Sequence, residues 1–489
     1  MSESLFPPLH SPDDREAVRI AGRALSYAEL SRASAALTAQ LAGASRVAVW
    51  AEPTLELCVA VLGALGAGVP IVPINPGLGP RELGHIVNDS TPERLVAWAG
   101  VEPPEQLAGL ERIDVDLTAA GDPDQNLPGA ANDGDGVAFV MYTSGTTGPP
   151  KGVQIPRRAI ATNLDALAEI WQWTAEDRVA QALPVFHVHG LILGLLGPLR
   201  RGGSVEHVGR FSPGALAEAL SRGVTMVFGV PTMYTRIARA AAEDRELAEA
   251  FGQARLLISG SAALPTTVHD RIKQLTGQSV LERYGLTETL MNTGTRLGDP
   301  VIPGRVGQPL PGVELKLIGE DGSEVDATDD ETIGEVAVRG PNLFDGYLNR
   351  PDATEEAMRD GWFMTGDMAT RNSEGSIKLV GRKSTDMIKS GGYRIGAGEI
   401  EGALLEHPAV AEVAVAARPD EDLGERIVAW VVLEDGQHAE PDELSNHVAN
   451  LLTRHKRPRE VNFVDELPRN AMGKVMKREL PGGGAFRNP

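Results

Sequence analysis

Residues 142–152 read YTSGTTGPPKG. An apolar run, VAFVM (137–141), leads into them, so the spacing predicts a strand that opens into a glycine-rich turn. Glycines let backbone N–H groups turn toward an anion, and hydroxyls add further donors. Thr143, Ser144, Gly145, Thr146, Thr147 and Gly148 supply that cradle, and Lys151 adds a point charge. The pattern is phosphate-binding in character. It is not a Walker A loop, because Gly148 is followed by Pro149, Pro150 and Lys151, and Lys151 by Gly152. A generic loop of this composition would be only a surface turn.

Outward from this loop, short apolar runs alternate with helical patterns. RVAVWAE (46–52), VPIVPIN (69–75), RLVAWAG (94–100), SVEHVG (204–209), TMVFGVP (225–231) and RLLISGS (255–261) read as strands, and RELGHIVNDS (81–90) as a helix. Such alternation implies βαβ units and a mainly parallel sheet. Residues 119–136 are rich in Gly, Pro, Asn and Asp and read as a loop. From about residue 300 short strands and turns predict a β-rich subdomain, and after 382 a small α+β unit with a helix near 441–454. The expected fold class is α/β, with a large N-terminal domain (1–381) and a small C-terminal α+β domain (382–489). Leu57–Ile74 is uncharged over 18 residues. Its glycines and prolines predict a buried helix, a turn and a strand in place of a membrane span.

Composition narrows the class. The chain has 489 residues, 42% of them hydrophobic and 23% charged, which suits a globular protein. One cysteine, Cys58, cannot form an internal disulfide. With 46 Lys+Arg against 67 Asp+Glu, the net charge of −21 argues against a broad nucleic-acid surface but permits a small basic pocket. The first residues, MSESLFPPLHSPDDRE, lack a basic segment followed by an apolar core, so no signal peptide is expected. The expectation is a cytoplasmic protein with no membrane, nucleic-acid or obligate protein partner.

YTSGTTGPPKG resembles the phosphate loop of the adenylate-forming superfamily, which includes acyl-CoA synthetases, peptide-synthetase adenylation domains and luciferases. Further segments follow that family's order: LPVFHVHG (183–190), ISGSAALP (258–265), ERYGLTET (282–289), WFMTGDMA (362–369), GRKSTDMIKSGGYRIGAGEIE (381–401) and PRNAMGK (468–474). Together they span nearly the whole chain. VPTMYTRIA, RYGLTETLMNT, RGPNLFDGYLNRP and IKSGGYRIGAGEIE are most similar to malonyl-CoA synthetases, including forms that accept methylmalonate.

The resemblance implies ATP-dependent ligation of malonate or methylmalonate to CoA through an acyl-adenylate, with AMP and pyrophosphate released. ATP, Mg²⁺ and CoA are the implied ligands. Lys474 is the implied catalytic lysine, bridging carboxylate and α-phosphate oxygens; alone it would read as a solvated lysine. Glu288 is the implied Mg²⁺ ligand, with Thr146 or Thr147, since Mg²⁺ uses one or two protein oxygens plus phosphates. Without that context Glu288 would be a helix cap. Asp367 is expected as an unpaired acceptor for the ribose, with Arg382 beside it, and Tyr284 as a face for adenine. Gly260, Ser261, Glu282, Gly285 and Thr287 complete the nucleotide site.

Arg283 is the implied substrate clamp, because a guanidinium pairs with a carboxylate in a bidentate fork. Its structural alternative is a pair with Glu282. His187 reads as a pocket donor or gate, or, like His189, as a core histidine. Met291 is expected to close the pocket floor, with Asn292 and Thr293 beside it. Ser390, Gly391, Gly392 and Tyr393 resemble the edge of the pantetheine tunnel, and Lys383 or Ser384 the pivot of the lid. Two alternatives stand beside this reading. One is adenylation of another short carboxylic, aryl or amino acid, although the pocket segments contain no Asp for an amine. The other is a non-catalytic nucleotide-binding relative, which would be expected to lose Lys474.

Overall fold

The computed structural model describes residues 4–122, 136–143, 150–383, 386–469 and 475–481. Among these, the strands form four sheets. The uncharged run becomes the helix Leu55–Gly66 and the strand Ile71–Ile74. The Thr54 hydroxyl caps the helix by accepting the Leu57 N–H at 3.2 Å. Its side chains from Leu57 to Leu65, Cys58 included, are buried, which accounts for the missing charge. No helix of the described residues is long and apolar enough to cross a membrane.

The first sheet runs Glu111–Asp114, Arg94–Ala97, Val47–Trp50, Ile71–Ile74, Val137–Thr143, Lys151–Pro156. It is parallel up to its last pair, where Val137–Thr143 and Lys151–Pro156 are antiparallel and Thr143 lies opposite Lys151. Residues Ser144, Gly145, Thr146, Thr147 and Gly148 lie outside the described residues, as does most of 119–136.

The second sheet has nine strands. Its parallel core runs Val280–Leu286, Leu256–Ser259, Met226–Gly229, Arg178–Gln181, Ser204–His207, Glu16–Ile20. Met226–Gly229 and Leu256–Ser259 are buried throughout, which is why they read as continuous apolar runs. Gly260 and Ser261 leave the carboxyl end of one such strand, where ligands of open α/β sheets collect. Leu290–Gly294 returns antiparallel beside Val280–Leu286.

The β-rich part is a five-stranded antiparallel sheet in which Trp362–Arg371 pairs with Ile377–Arg382, placing Asp367 opposite Arg382. The C-terminal unit has its own cores. On the strand Gly424–Leu433, Ile427, Ala429 and Val431 face a cluster that includes Ile400, Leu404 and Leu444 from two helices. The alternate residues Val428 and Trp430 pack with Leu467 and Leu480. The helix foreseen near 441–454 spans Pro441–Leu451.

Candidate active site

Alternation along Val280–Leu286 sends neighbouring side chains to opposite faces. Glu282 and Tyr284 leave one face of the strand and Arg283 the other. Arg283 is 4% exposed, and its Nε and Nη2 have no hydrogen-bond partner among the described residues. Burial holds its pKa down to about 9. Glu282 is not its counter-ion: that carboxylate accepts the backbone N–H groups of Leu264 (3.1 Å) and Gly304 (3.0 Å). Desolvation pushes Glu282 up to about 7. Expected as a nucleotide contact, Glu282 is instead committed to backbone.

The guanidinium lies against Gly260, where a Cβ would fall 2.3 Å from Arg283 Cζ. A side chain there would displace the guanidinium. His189 is near enough that burial and the Arg283 charge both depress its pKa, leaving the imidazole neutral. Ser261 Oγ stands 3.5 Å from His189 Nδ1. His187 is depressed to about 4 by burial and packs edge-on against Phe186. Nε2 of His187 and of His189 has no partner among the described residues. Arg283 and His189 thus set a buried cation beside a neutral imidazole, each with a nitrogen that has no partner among the described residues.

Met291 is 2% exposed. Its backbone N–H donates to Asn163 Oδ1 (3.1 Å) and its carbonyl accepts from Asn163 Nδ2 (2.7 Å). The strand carrying Met291, Asn292 and Thr293 is wholly buried and pairs antiparallel with the strand of Arg283.

On the opposite face two expectations are corrected. Tyr284 is not an open stacking surface: it is 6% exposed and packs with Val306, Val336 and Val338. Asp367 is not unpaired. The Tyr284 hydroxyl donates to Asp367 Oδ2 at 2.6 Å, and Arg382 Nε pairs with Oδ1 at 2.8 Å. Arg382 Nη1 also donates to the Thr365 carbonyl (3.0 Å), and the Thr365 hydroxyl accepts the Asp367 N–H (3.1 Å). Asp367 is thus a charged acceptor held in place from two sides, which suits it to vicinal hydroxyls better than a free side chain would.

Glu288 is not a helix cap, since it sits in the turn of the Val280–Leu286/Leu290–Gly294 hairpin, between Thr287 and Thr289. Gly285 is required at that turn, because a Cβ would come 1.8 Å from the Leu290 carbonyl oxygen. Glu288 Oε1 accepts the Tyr347 hydroxyl at 2.8 Å, and Lys151 Nζ stands 4.3 Å from the centroid of the same ring. The segment around Tyr347 is sutured to both neighbours: Phe344 N–H donates to the Glu288 carbonyl (2.8 Å) and Leu348 N–H to the Gly152 carbonyl (2.7 Å). Tyr347 lies in RGPNLFDGYLNRP, quoted above for resemblance, but its role as the link was not foreseen.

In the C-terminal unit, Gly391 and Gly392 turn the hairpin between Met387–Ser390 and Tyr393–Gly396 at left-handed φ of 58° and 84°. Ser390 is buried beneath it, while Tyr393 is 54% exposed and stacks on His455 with centroids 3.9 Å apart. His455 lies in TRHKRPR (453–459), where Lys456 pairs with Glu399 and Arg457 has no acidic partner among the described residues. Sequence reading missed this patch, although so basic a run in an acidic chain was its signal. Lys383 is bound to the N-terminal sheet by its N–H to the Gly366 carbonyl (2.8 Å) and its Nζ to Glu335 (2.6 Å). Ser384 and Lys474 lie outside the described residues. No group of three metal-ligating side chains occurs among the described residues.

The chain matches the AMP-binding enzyme family over residues 9–348 and the AMP-binding enzyme C-terminal domain over 399–474. A malonate–CoA ligase of Arabidopsis thaliana is 33% identical over 543 residues, covering 98% of this chain and 88% of its own. A solved malonyl-CoA ligase, a ternary product complex with methylmalonyl-CoA and AMP bound, is 55% identical with a TM-score of 0.74, covering 94% of this chain and 100% of its own. ATP-bound MatB from Rhodopseudomonas palustris is 33% identical with a TM-score of 0.86, covering 98% of each chain.

Proposed function

The chain belongs to the AMP-binding enzyme family, and from that membership we propose that it joins malonate or methylmalonate to CoA through an acyl-adenylate, releasing AMP and pyrophosphate. The observation that carries the substrate is Arg283, a buried guanidinium with open donors and no acidic partner among the described residues. One carboxylate of the acid neutralises it in a bidentate pair, with His187 or His189 as a further donor. The other carboxylate is directed toward the nucleotide side of the strand.

There Asp367, braced by Tyr284 and Arg382, takes the ribose hydroxyls. Gly260, Ser261, Gly285 and Thr287 border the nucleotide, and Thr143 to Gly148 with Lys151 take the phosphates. Glu288 and Thr146 would hold Mg²⁺, and a hard carboxylate oxygen already oriented by Tyr347 fits that ion. Mg²⁺ supplies positive charge that offsets the ATP phosphates. Lys474 stabilises the charge that builds between the attacking carboxylate and the α-phosphate. The CoA thiolate then attacks the acyl carbon, the C–O bond to phosphate breaks, and AMP leaves. Ser390, Gly391 and Gly392 line the path of the pantetheine. Tyr393, His455 and Arg457 offer stacking and charge for the nucleotide end of CoA.

The two domains of this reading are 1–381 and 382–489. Because Lys383 is tied to the N-terminal sheet, the pivot falls just after it, at Ser384. A superposition closer to the ATP-bound relative than to the more identical product complex supports an adenylating arrangement. A cytoplasmic location, with no obligate protein partner, is part of the proposal.

The test is CoA-dependent AMP release over a panel of mono- and dicarboxylates from two to six carbons. Malonate and methylmalonate should lead. A monocarboxylate or an amino acid as best substrate would overturn the assignment.

A further inference from the structure

Lys477 is a largely covered lysine that the reaction above does not use. Its side chain is 15% exposed, and its Nζ lies 2.8 Å from Asp386 Oδ1 and 2.8 Å from Glu401 Oε1. The two carboxylates come from different elements. Asp386 follows the pivot, and Glu401 lies on the helix Ala397–Leu405. Both carboxylates also bind backbone. Asp386 Oδ2 accepts the Arg382 N–H at 3.0 Å, while the Asp386 N–H donates to the Arg382 carbonyl at 2.8 Å. Glu401 Oε1 accepts the Val415 N–H at 2.8 Å.

The far side of Lys477 is the C-terminal segment. Val475 bridges Arg469, and the Met476 N–H donates to the Pro468 carbonyl at 2.7 Å. Arg469 in turn pairs with Glu412. Asp386 thus touches Lys477 with one oxygen and the backbone of Arg382 with the other, and the Arg382 guanidinium holds Asp367. A continuous chain of polar contacts runs from the ribose acceptor to the C-terminal segment.

We propose that Lys477 is a positioning residue that fixes the C-terminal segment to the pivot through Asp386 and Glu401, and so acts in the adenylating half-reaction. Two unit charges facing one ammonium at low exposure hold this geometry firmly, and removal of the lysine takes away the cation that both carboxylates share. The triad lies after the pivot and moves as one body. The Arg382–Asp386 bonds span the pivot, so they bias one arrangement of the lid over another.

This inference rests on the adenylating reading. It is tested with Lys477→Met, Lys477→Arg and Asp386→Asn in the full chain. Malonate-dependent ATP–pyrophosphate exchange reports the first half-reaction. Single-turnover consumption of enzyme-bound adenylate on adding CoA reports the second. Lys477→Met and Asp386→Asn should lose about 10–100-fold in exchange, the scale of a small misplacement, with a much smaller change in the CoA step. Lys477→Arg should restore most of the exchange. Equal losses in both steps, unaltered exchange, or no rescue by arginine would overturn the positioning role. If Lys477→Met does not fold, as judged by its melting transition, Asp386→Asn and Lys477→Arg decide the question by the same ratio. Absence of exchange in the unmodified protein would overturn the functional reading itself.

Discussion

The phenol of Tyr347 joins Glu288 to Lys151: its hydroxyl donates to the Glu288 carboxylate at 2.8 Å while the Lys151 ammonium stands 4.3 Å from its ring centroid. One side chain thereby sets the spacing between a metal-ligand candidate and a phosphate-binding cation. Tyr347→Phe keeps the ring under Lys151 and removes the hydroxyl. Loss of one hydrogen bond to a carboxylate is worth about 1.5–3 kcal/mol, so KM for MgATP should rise roughly 10-fold or more. Malonate KM should change little. Steady-state kinetics in each substrate checks the split.

Arg283 trades stability for binding. A buried cation without an acidic partner costs free energy, and an apolar replacement of similar length removes that cost. Arg283→Met should melt at a higher temperature than the unmodified protein in buffer without substrate. Its turnover of malonate should fall by about 100-fold or more, as expected when a buried charged partner is lost. Acetate turnover should be nearly unchanged. Thermal melts and the ligation assay give the two readouts, and a lower melting temperature would contradict the reading of Arg283 as uncompensated.

Gly260→Ala tests the same pocket without changing charge. The added methyl would fall 2.3 Å from the guanidinium carbon, so Arg283 must move. The expected result is a selective loss of malonate use with the apparent affinity for ATP affected less. Equal loss for acetate and malonate would point to a backbone effect.

Glu282 makes a pH prediction. Burial raises its pKa to about 7 from an ordinary value of 4.5. Between those values the folded state holds a proton that the unfolded chain has released. Stability from this group is therefore fully present below about pH 4.5, declines as pH rises toward about 7, and is level above. Glu282→Gln removes the titration. The melting temperature of the variant relative to the parent should rise across that interval and then stay constant.

Local pattern was enough for much of this molecule. Short continuous apolar runs placed the strands at 137–141, 225–231 and 255–261. The break at Gly66 to Pro70 split an uncharged stretch into a helix and a strand, because helix and strand signals are carried by neighbouring residues. Arg283, Glu288, Asp367 and Arg382 stood out only through the segments that carry the family resemblance. Partnerships were not legible. The Tyr284 hydroxyl donates to Asp367, 83 residues away, and the Tyr347 hydroxyl to Glu288, 59 residues away. Lys477 stands between two carboxylates, Asp386 and Glu401, that lie 91 and 76 residues before it.

Whether a charge is buried, and what faces it there, depends on contacts between distant segments. Those contacts set desolvation and hydrogen bonding, and local spacing carries no record of them. Glu282 and Arg283 are adjacent and opposite in charge, yet strand alternation sends them to opposite faces. The tertiary structure alone could decide that the arginine would be left to bind something else.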